Sequence, residues 1–580
     1  MRRLVVSRLV VALLVLIGCD ARKADRERFN VLLVSADSLR SDRLASWNPQ
    51  GVATPHLDAL AARGALYRNA WAVTPWTAPS MVSVFTGLYP PSHGVVYRDD
   101  TTPPRLPSLA TVLEAAGYRL GNFTFFSEIS YFRNLGLPER APGLVHGREV
   151  GAFREWLGAA EPGQPFFAWV HFLEPHLPYG ASGYRATEVQ IPGSSGLEQS
   201  QLQATVPVGS AEFAPGDRDK LLELYDQDVE RLDRVLGELL GAVHERGLEE
   251  RTLVVFVADH GEELLEHGWV GHASTAIEAK LRPELLRIPL VLAGPGVEAG
   301  SEHHEIVQQV DVLPSVARVL GIDPPAPLDG VTLPGLTSPE RPGAFARARA
   351  ALGRMIRGED NGRKFAFFDT SMGGNLTPVE RVGERLQGIT DGECLLESRL
   401  APGAAEVSPP LVFPVAFPVA ARPSRCEERR PALAAALASW REEHSQRRLE
   451  LLRAQPASDA PGAEANAYRE AIAVRRPLAE QEIAWSEAQG QITLEWESPA
   501  SSFWVEYRVG RLPARVEGSF EVEQDRVIFG PFPPGFWNEL AGYSPFRFRI
   551  LDPAGRERSP WVTFRVAAAG PSARIAETDR

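Results

Sequence analysis

Lysine is almost missing from this sequence, which carries it only at positions 23, 220, 280 and 364, and cysteine and methionine are as scarce, at 3 and 4 residues. Arginine supplies nearly all the positive charge, and it is scattered rather than gathered into a basic block. Acidic residues outnumber basic ones by 74 to 61, for a net charge of -13. That balance excludes a protein built to grip a phosphate backbone, so no nucleic-acid partner is expected. No apolar run reaches the roughly 20 residues that a membrane-spanning helix needs. With 44% hydrophobic and 23% charged residues, wholesale disorder is excluded too. At 580 residues the chain is too long for one ordinary domain, and two or three are expected.

The first nineteen residues read as an address. Arg2, Arg3 and Arg8 precede the short apolar run Leu9 to Ile17, which ends at Gly18 and Cys19. A run this short suits the core of a signal peptide. Leu16-x-Gly18-Cys19 resembles a bacterial lipobox, which implies lipidation of Cys19 and a mature chain starting there. The other readings are an uncleaved anchor helix or a signal peptide with a chance cysteine. Asp20 resembles the signal that retains lipoproteins at the inner membrane, so an exported, periplasm-facing, membrane-anchored protein is expected. Cys394 and Cys426 remain, either as a disulfide or as two buried thiols.

From Phe29 onward the pattern is α/β. Apolar runs Val31 to Ala36, Phe166 to Phe172, Leu253 to Ala258 and Ile288 to Ala293 read as buried parallel strands. Helical patterns alternate with them at Leu57 to Arg63, Leu109 to Ala116, Lys220 to Glu245 and near Val310 to Leu320. This predicts a doubly wound, mostly parallel sheet, in which ligands sit beyond the carboxyl ends of the strands. Residues near 395–425 are rich in Pro and Ala and show no clear period. Pro431 to Gln455 looks helical, and Ala457 to Ala465 looks like a linker. Short alternating strands then run from Ile492 to Val566 and predict a small C-terminal β-sandwich; Trp496, Tyr507 and Ser559-Pro560 resemble a fibronectin type III module. The expected organisation is a signal peptide at 1–19, a tether at 20–28, and a catalytic domain at 29–425 with its core at 29–335. A helical stretch and linker follow at 426–481, then the sandwich at 482–568 and a tail at 569–580.

Chemistry gathers where the strands end. The first delivers Asp37, and the third delivers Asp259, His260, Gly261 and Glu262. A carboxylate ending an apolar strand is costly unless a cation or a hydrogen-bond network holds it. Two Asp and one His converging on one crevice suit a divalent metal. Between them Thr77 sits in a Pro-bounded turn just before a helix, whose N-terminus favours a sulfate or phosphate. A metal-bound Thr hydroxyl loses its proton more readily and becomes a nucleophile. Singly, each signal is more often structural: an Asp after a strand caps, Thr-x-Pro-Ser turns, Asp-His-Gly makes a tight loop.

Together they resemble the sulfatase family of the alkaline phosphatase superfamily. Asn30 through Asp37 to Asp42 is similar to its first strand and metal Asp, and Thr54 through Gly64 to Ala70 to the helix that follows. Thr77-x-Pro79-Ser80 through Thr86-Gly87, Pro90 and His93-Gly94 is similar to its nucleophile motif. His171 through Glu174-Pro175-His176 to Tyr179 matches a strand end that offers a substrate-binding His. Ala258 to Glu262, His267-Gly268, Gly271-His272 and Arg287 to Leu290 complete the series. The resemblance implies that Asp37, Asp259, His260 and the Thr77 hydroxyl bind the metal, and that Thr77 is the nucleophile. It also implies that His176 and His272 contact the anion or the leaving group. His272 stands where many sulfatases have Lys, and a His there could act as general acid near neutral pH.

The departures bear on substrate. Ordinary sulfatases carry a Cys or Ser that is oxidised to formylglycine. Thr77 cannot give that aldehyde, because its β-carbon bears a methyl group, so no formylglycine is expected. Met81 replaces an Arg, Ser38 replaces a second carboxylate, and the family's Lys-Trp-His segment is missing where Gly121 to Phe125 stands. A Thr nucleophile resembles phosphoethanolamine and phosphoglycerol transferases, and a His ligand leans towards zinc or manganese over calcium. The reading is a metal-dependent hydrolase of sulfate or phosphate esters, on a polysaccharide or lipid headgroup. The alternatives are a phospho-group transferase and a catalytically degenerate, anchored binding protein.

Overall fold

Seven consecutive residues buried on both faces, Asn30–Ala36, form the strand at the heart of the molecule. In the computed structural model described here, this strand, β1, belongs to a seven-stranded sheet. The structure describes most of residues 28–337, apart chiefly from 125–131, 180–215 and 273–279; then 364–371, 385–400, 410–415, 423–453 and strands between 473 and 567. Cys19, the lipobox, the 457–465 linker and the tail lie outside the described residues. Among the described residues no helix is long and apolar enough to cross a membrane.

The remaining strands of this sheet are β2 (Gly64–Tyr67), β3 (Arg119–Phe123), β4 (Phe166–Phe172), β5 (Thr252–Ala258), β6 (Leu290–Ala293) and β7 (Ser301–His303). They lie in the order β7-β2-β6-β5-β1-β4-β3. β3, β4, β1 and β5 are parallel, as the apolar runs of β4, β1 and β5 predict; β3 carries no such run. β6 is a correction to the sequence reading: it runs antiparallel to both neighbours. An apolar run buried on both faces carries no directional signal. Here the chain turns back at the edge where β5 ends, with Gly261 N–H donating to Leu285 O at 2.7 Å, and so re-enters the sheet from that edge. Ile288 falls outside β6 and pairs with Ala70 instead.

Alternation along β4 shows the two covered faces. Phe167 and Trp169 meet Phe85 of the helix Thr77–Thr86, at ring distances of 6.3 and 4.9 Å. Phe166, pointing the other way, meets Phe153 and Trp156 of the helix Glu149–Gly158. In chain order the helices are α1 (Pro55–Ala62), α2 (Thr77–Thr86), α3 (Leu109–Ala115), α4 (Glu149–Gly158), α5 (Asp217–Glu245) and α6 (Val312–Leu320). Sheet and helices share one apolar core.

The stretch expected to lack periodicity contains two strands. β8 (Ala366–Ser371), β9 (Arg385–Thr390), β10 (Cys394–Leu400) and β11 (Leu411–Pro414) make a four-stranded antiparallel sheet. Its polar positions, including Gln387, Thr390 and Ser398, are buried, which blurs the alternation in the sequence. The helix α7 (Pro423–Arg453) lays Leu433, Leu437 and Trp440 on Ile389, Cys394 and Leu396 of this sheet. A disulfide joins Cys394 to Cys426, with Cα atoms 5.4 Å apart. The helix therefore packs with the chain before it.

Two small C-terminal sheets share a separate core around Trp496, Phe503, Phe548 and Phe564. One holds Ala473–Arg476, Ile492–Glu497 and Arg526–Phe529; the other holds Gln481–Ile483, Phe503–Val509, Val516–Val522, Phe546–Leu551 and Val562–Val566. The short strands Ala473–Arg476 and Gln481–Ile483 join one edge of each sheet.

Candidate metal and ester site

Register places the acidic residues. Ala36 of β1 lies opposite Phe172 of β4 and Ala258 of β5, so the three strands end in step. The ladder continues one residue further, with Asp37 N–H donating to Phe172 O at 3.0 Å and Asp259 N–H to Ala36 O at 3.2 Å. Both carboxylates thus leave the same sheet edge, 2% and 0% exposed. Gly261 allows the turn that follows: a β-carbon there would lie 1.9 Å from the Glu284 carbonyl oxygen.

His260 is oriented by its own backbone neighbourhood. Its Nδ1 lies 2.7 Å from Gly261 O, a contact only an N–H can make favourable, so Nε2 carries the lone pair. That Nε2 lies 3.4 Å from Thr77 Oγ1, 3.4 Å from Asp259 Oδ2 and 3.6 Å from Asp37 Oδ1. Thr77 is the first residue of α2 and is partly exposed, while every other residue of that helix is buried. The arrangement brings together the four residues singled out as metal donors.

His171 lies among the same donors. Donor atoms of Asp37, His171 and Asp259 all lie within 4.8 Å of one another. His171 Nδ1 sits 2.7 Å from Ser35 Oγ, and Nε2 lies 3.5 Å from Asp37 Oδ2. Asp37 therefore faces His260 with one oxygen and His171 with the other. Strand alternation hid this: His171 reads as one more residue of an apolar run.

The electrostatics fit a cation. Asp259 Oδ2 is buried and makes no hydrogen bond among the described residues. Burial and the Asp37 charge push the Asp259 carboxyl up to about 7. Burial would raise Asp37 as well, but His176, a hydrogen bond from His171, and His260 hold it well below the usual carboxylate range. Two carboxylates and the side-chain nitrogens of His171 and His260 close together, with one carboxylate oxygen unpaired among the described residues, are a donor set that a divalent ion satisfies.

His176 and His272 flank the cluster, their rings 5.0 Å apart, and His272 lies 4.3 Å from the His260 ring. Burial and the neighbouring His176 charge push His272 down to about 3, so at neutral pH it is uncharged. Its Nδ1 lies 3.0 Å from Glu262 Oε1, a carboxyl that burial pushes up to about 7. Burial lowers His176 too, but the charges of Asp37 and Glu262 outweigh it and raise its pKa. The charged form is thus favoured at His176 and the neutral form at His272. Met81 is wholly buried in the apolar core. His93 accepts from Val95 N–H at Nδ1 and donates from Nε2 to Ser83 Oγ at 3.0 Å, bracing α2 from behind.

A mostly parallel α/β sheet with a carboxylate and histidine cluster beyond its carboxyl ends places this protein among the α/β enzymes. The same fold occurs in the phosphonate monoester hydrolase of Agrobacterium radiobacter, at a TM-score of 0.51 and 21% identity over 72% of this chain and 96% of that one. It also occurs in a 2-O GAG sulfatase, at a TM-score of 0.53 and 16% identity over 75% and 96%. The sulfatase family model matches residues 29–322, just over half of the chain, and the protein belongs to the sulfatase family. Among curated relatives, the low-salt glycan biosynthesis sulfotransferase Agl7 of Haloferax volcanii is 29% identical over 50% of this chain and 61% of its own length. The ulvan-active sulfatase of Formosa agariphila is 25% identical over 55% and 67%. The chain thus spans less than two thirds of the Haloferax protein.

Proposed function

We propose that this protein is a metal-dependent hydrolase of sulfate or phosphate esters in which Thr77 is the nucleophile. The observation that carries it is Thr77 Oγ1, at the open N-terminus of α2, 3.4 Å from His260 Nε2 beside two buried carboxylates. Asp37, Asp259 and His260, with the Thr77 hydroxyl and His171 close by, would hold one divalent ion; zinc or manganese suits the imidazole better than calcium does. Bound there, the ion supplies charge neutralisation for the ester and lowers the proton affinity of the hydroxyl.

Thr77 contributes the attacking oxygen and forms the covalent ester, as the bond from sulfur or phosphorus to the alcohol oxygen breaks. The N–H groups of the first turn of α2 favour the anion. His176, whose charged form is stabilised, gives its proton to the departing oxygen. Neutral His272, braced at Nδ1 by Glu262, takes the Thr77 hydroxyl proton at its other nitrogen and returns it when water displaces the group from Thr77, while the proton that the water loses goes back to His176.

The Haloferax relative, named as a glycan sulfotransferase, favours a second reading in which an acceptor hydroxyl replaces water in the last step. The wholly buried donors speak against a degenerate binding protein, since such a cluster is costly to keep without a cation. A polysaccharide or lipid-headgroup ester, and an exported chain held at the membrane by lipidated Cys19, complete the proposal.

The test is a screen of the full-length chain and Thr77→Ala against aryl sulfate, phosphate monoester and phosphodiester substrates with zinc, manganese or calcium. Metal-dependent turnover of at least one ester is expected, reduced by about 10³-fold or more in Thr77→Ala. Equal rates in both proteins, or no turnover together with no metal binding, would overturn it. Faster consumption of substrate when a glycan or lipid acceptor is added would select the transferase reading.

A further inference from the structure

We propose that Gln309 is a positioning residue that locks the Thr77 helix to the end of β5 and so sets the spacing between nucleophile and metal donors; this rests on the reading of Thr77 and Asp259 as a working pair. Gln309 opens the short 3-10 turn Gln309–Asp311 ahead of α6 and is 1% exposed. Its side-chain amide uses every hydrogen bond available to it. Oε1 accepts from Val73 N–H at 3.1 Å and from Ser80 Oγ at 2.7 Å. Nε2 donates to the carbonyl oxygens of Ala258 at 2.8 Å and Asp259 at 2.6 Å.

The partners fix which way the amide points. An N–H and a hydroxyl face its oxygen while two carbonyls face its nitrogen, and turning it over would set donor against donor and acceptor against acceptor. The four contacts fall on three segments whose relative placement decides the site. Val73 leads into the nucleophile turn, Ser80 lies in the first turn of α2 three residues after Thr77, and Ala258 and Asp259 end β5. The Ser80 hydroxyl also lies against the Asp259 carbonyl. Having one proton, it serves one acceptor at a time, so the amide is the tie that holds all three segments together. Thr77 Oγ1 and His260 Nε2, 3.4 Å apart, sit within three residues of its contacts on either side.

The preceding residue reaches the other way. Gln308 Oε1 accepts from Tyr89 Oη at 2.7 Å and from Phe367 N–H at 3.0 Å, and its Nε2 donates to Phe367 O at 2.9 Å. Gln308 and Gln309 together therefore join the four-stranded sheet to the active-site edge. An apolar residue of similar volume at 309 would leave the Val73 N–H and two strand-end carbonyls buried without this partner.

The experiment uses full-length Gln309→Met, which removes all four hydrogen bonds, and Gln309→Glu, which keeps the acceptors and loses both donors. Gln309→Asn, with the amide drawn back by one carbon, is the milder variant should either of those fail to fold. Manganese affinity by competition with a chelating dye, kcat and KM separately, and the thermal midpoint are measured. Manganese binding is expected to weaken about 10- to 100-fold. The kcat should fall by about 100-fold, with KM changed by less than about threefold. A folded variant with manganese affinity and kcat near those of the wild type, and only a lowered midpoint, would make Gln309 a packing residue and overturn the proposal. Should the wild type turn over no ester, the functional reading fails on activity while manganese affinity still decides the role of Gln309.

Discussion

Ser38 holds a left-handed backbone conformation, φ 60°, directly after Asp37. Its N–H donates to Asp259 Oδ1 at 3.0 Å and its hydroxyl to Asp37 Oδ1 at 3.0 Å, so one small residue joins the two carboxylates. Read from the sequence, Ser38 is a lost carboxylate; in the structure it is a donor to both that remain. Positive φ costs a non-glycine residue about 1 kcal/mol, and such strain persists where function needs it. Ser38→Gly should therefore leave stability unchanged or raise it by up to about 1 kcal/mol, while kcat/KM falls about tenfold or more. Denaturant unfolding beside steady-state kinetics checks this; a parallel loss of both would show the hydroxyl to be structural. At this scale Asp37, Thr77, Asp259 and His260 were legible because each breaks a strand or helix pattern where it ends. His171 and Gln309 were not. Their partners lie far along the chain, and nothing local distinguishes them from ordinary core or turn residues.

Helix α7 is tied to the catalytic half through Asp329, whose buried carboxylate accepts from Tyr89 N–H at 2.8 Å and lies 3.0 Å from Arg447 Nε and 3.4 Å from His444 Nε2. Burial raises its pKa, but hydrogen bonds and the charge of His444 outweigh this and hold it below the ordinary carboxylate value. A group depressed in the folded state contributes stability above its unfolded pKa and loses it as pH falls through the folded one. Stability should thus decline on acidification below the ordinary aspartate range. Asp329→Asn should cost about 2 kcal/mol at neutral pH and flatten that acid limb. Denaturant titrations at a series of pH values test it; an acid limb of unchanged steepness would assign the loss to other carboxylates. The antiparallel sheet that α7 covers was missed in the sequence, because buried Gln387, Thr390 and Ser398 obscure its alternation. The direction of β6 was misread for the opposite reason: both of its faces are apolar.

For the whole molecule, two converging carboxylates without a cation work against the folded state, and an ion that binds only the folded site adds to its stability. Held at 100 times its dissociation constant, such an ion contributes about 2.7 kcal/mol, or a rise of roughly 3 to 4 °C in thermal midpoint for a domain of about 300 to 400 residues. Removal with a chelator should lower the midpoint by that amount, and manganese or zinc should restore it. Calorimetry of Asp259→Asn supplies the control, since its midpoint should respond much less to the ion. By itself the sequence determined the α/β class, the strand ends that carry Asp37 and Asp259, and the methyl-bearing β-carbon of Thr77. These are local matters of periodicity and covalent structure. Only the tertiary structure decided the direction of β6, the packing of α7 with the second sheet, and the approach of His171 to Asp37 and of Gln309 to the end of β5. Those depend on which distant groups share a buried, low-dielectric volume, and the order of residues along the chain does not state that.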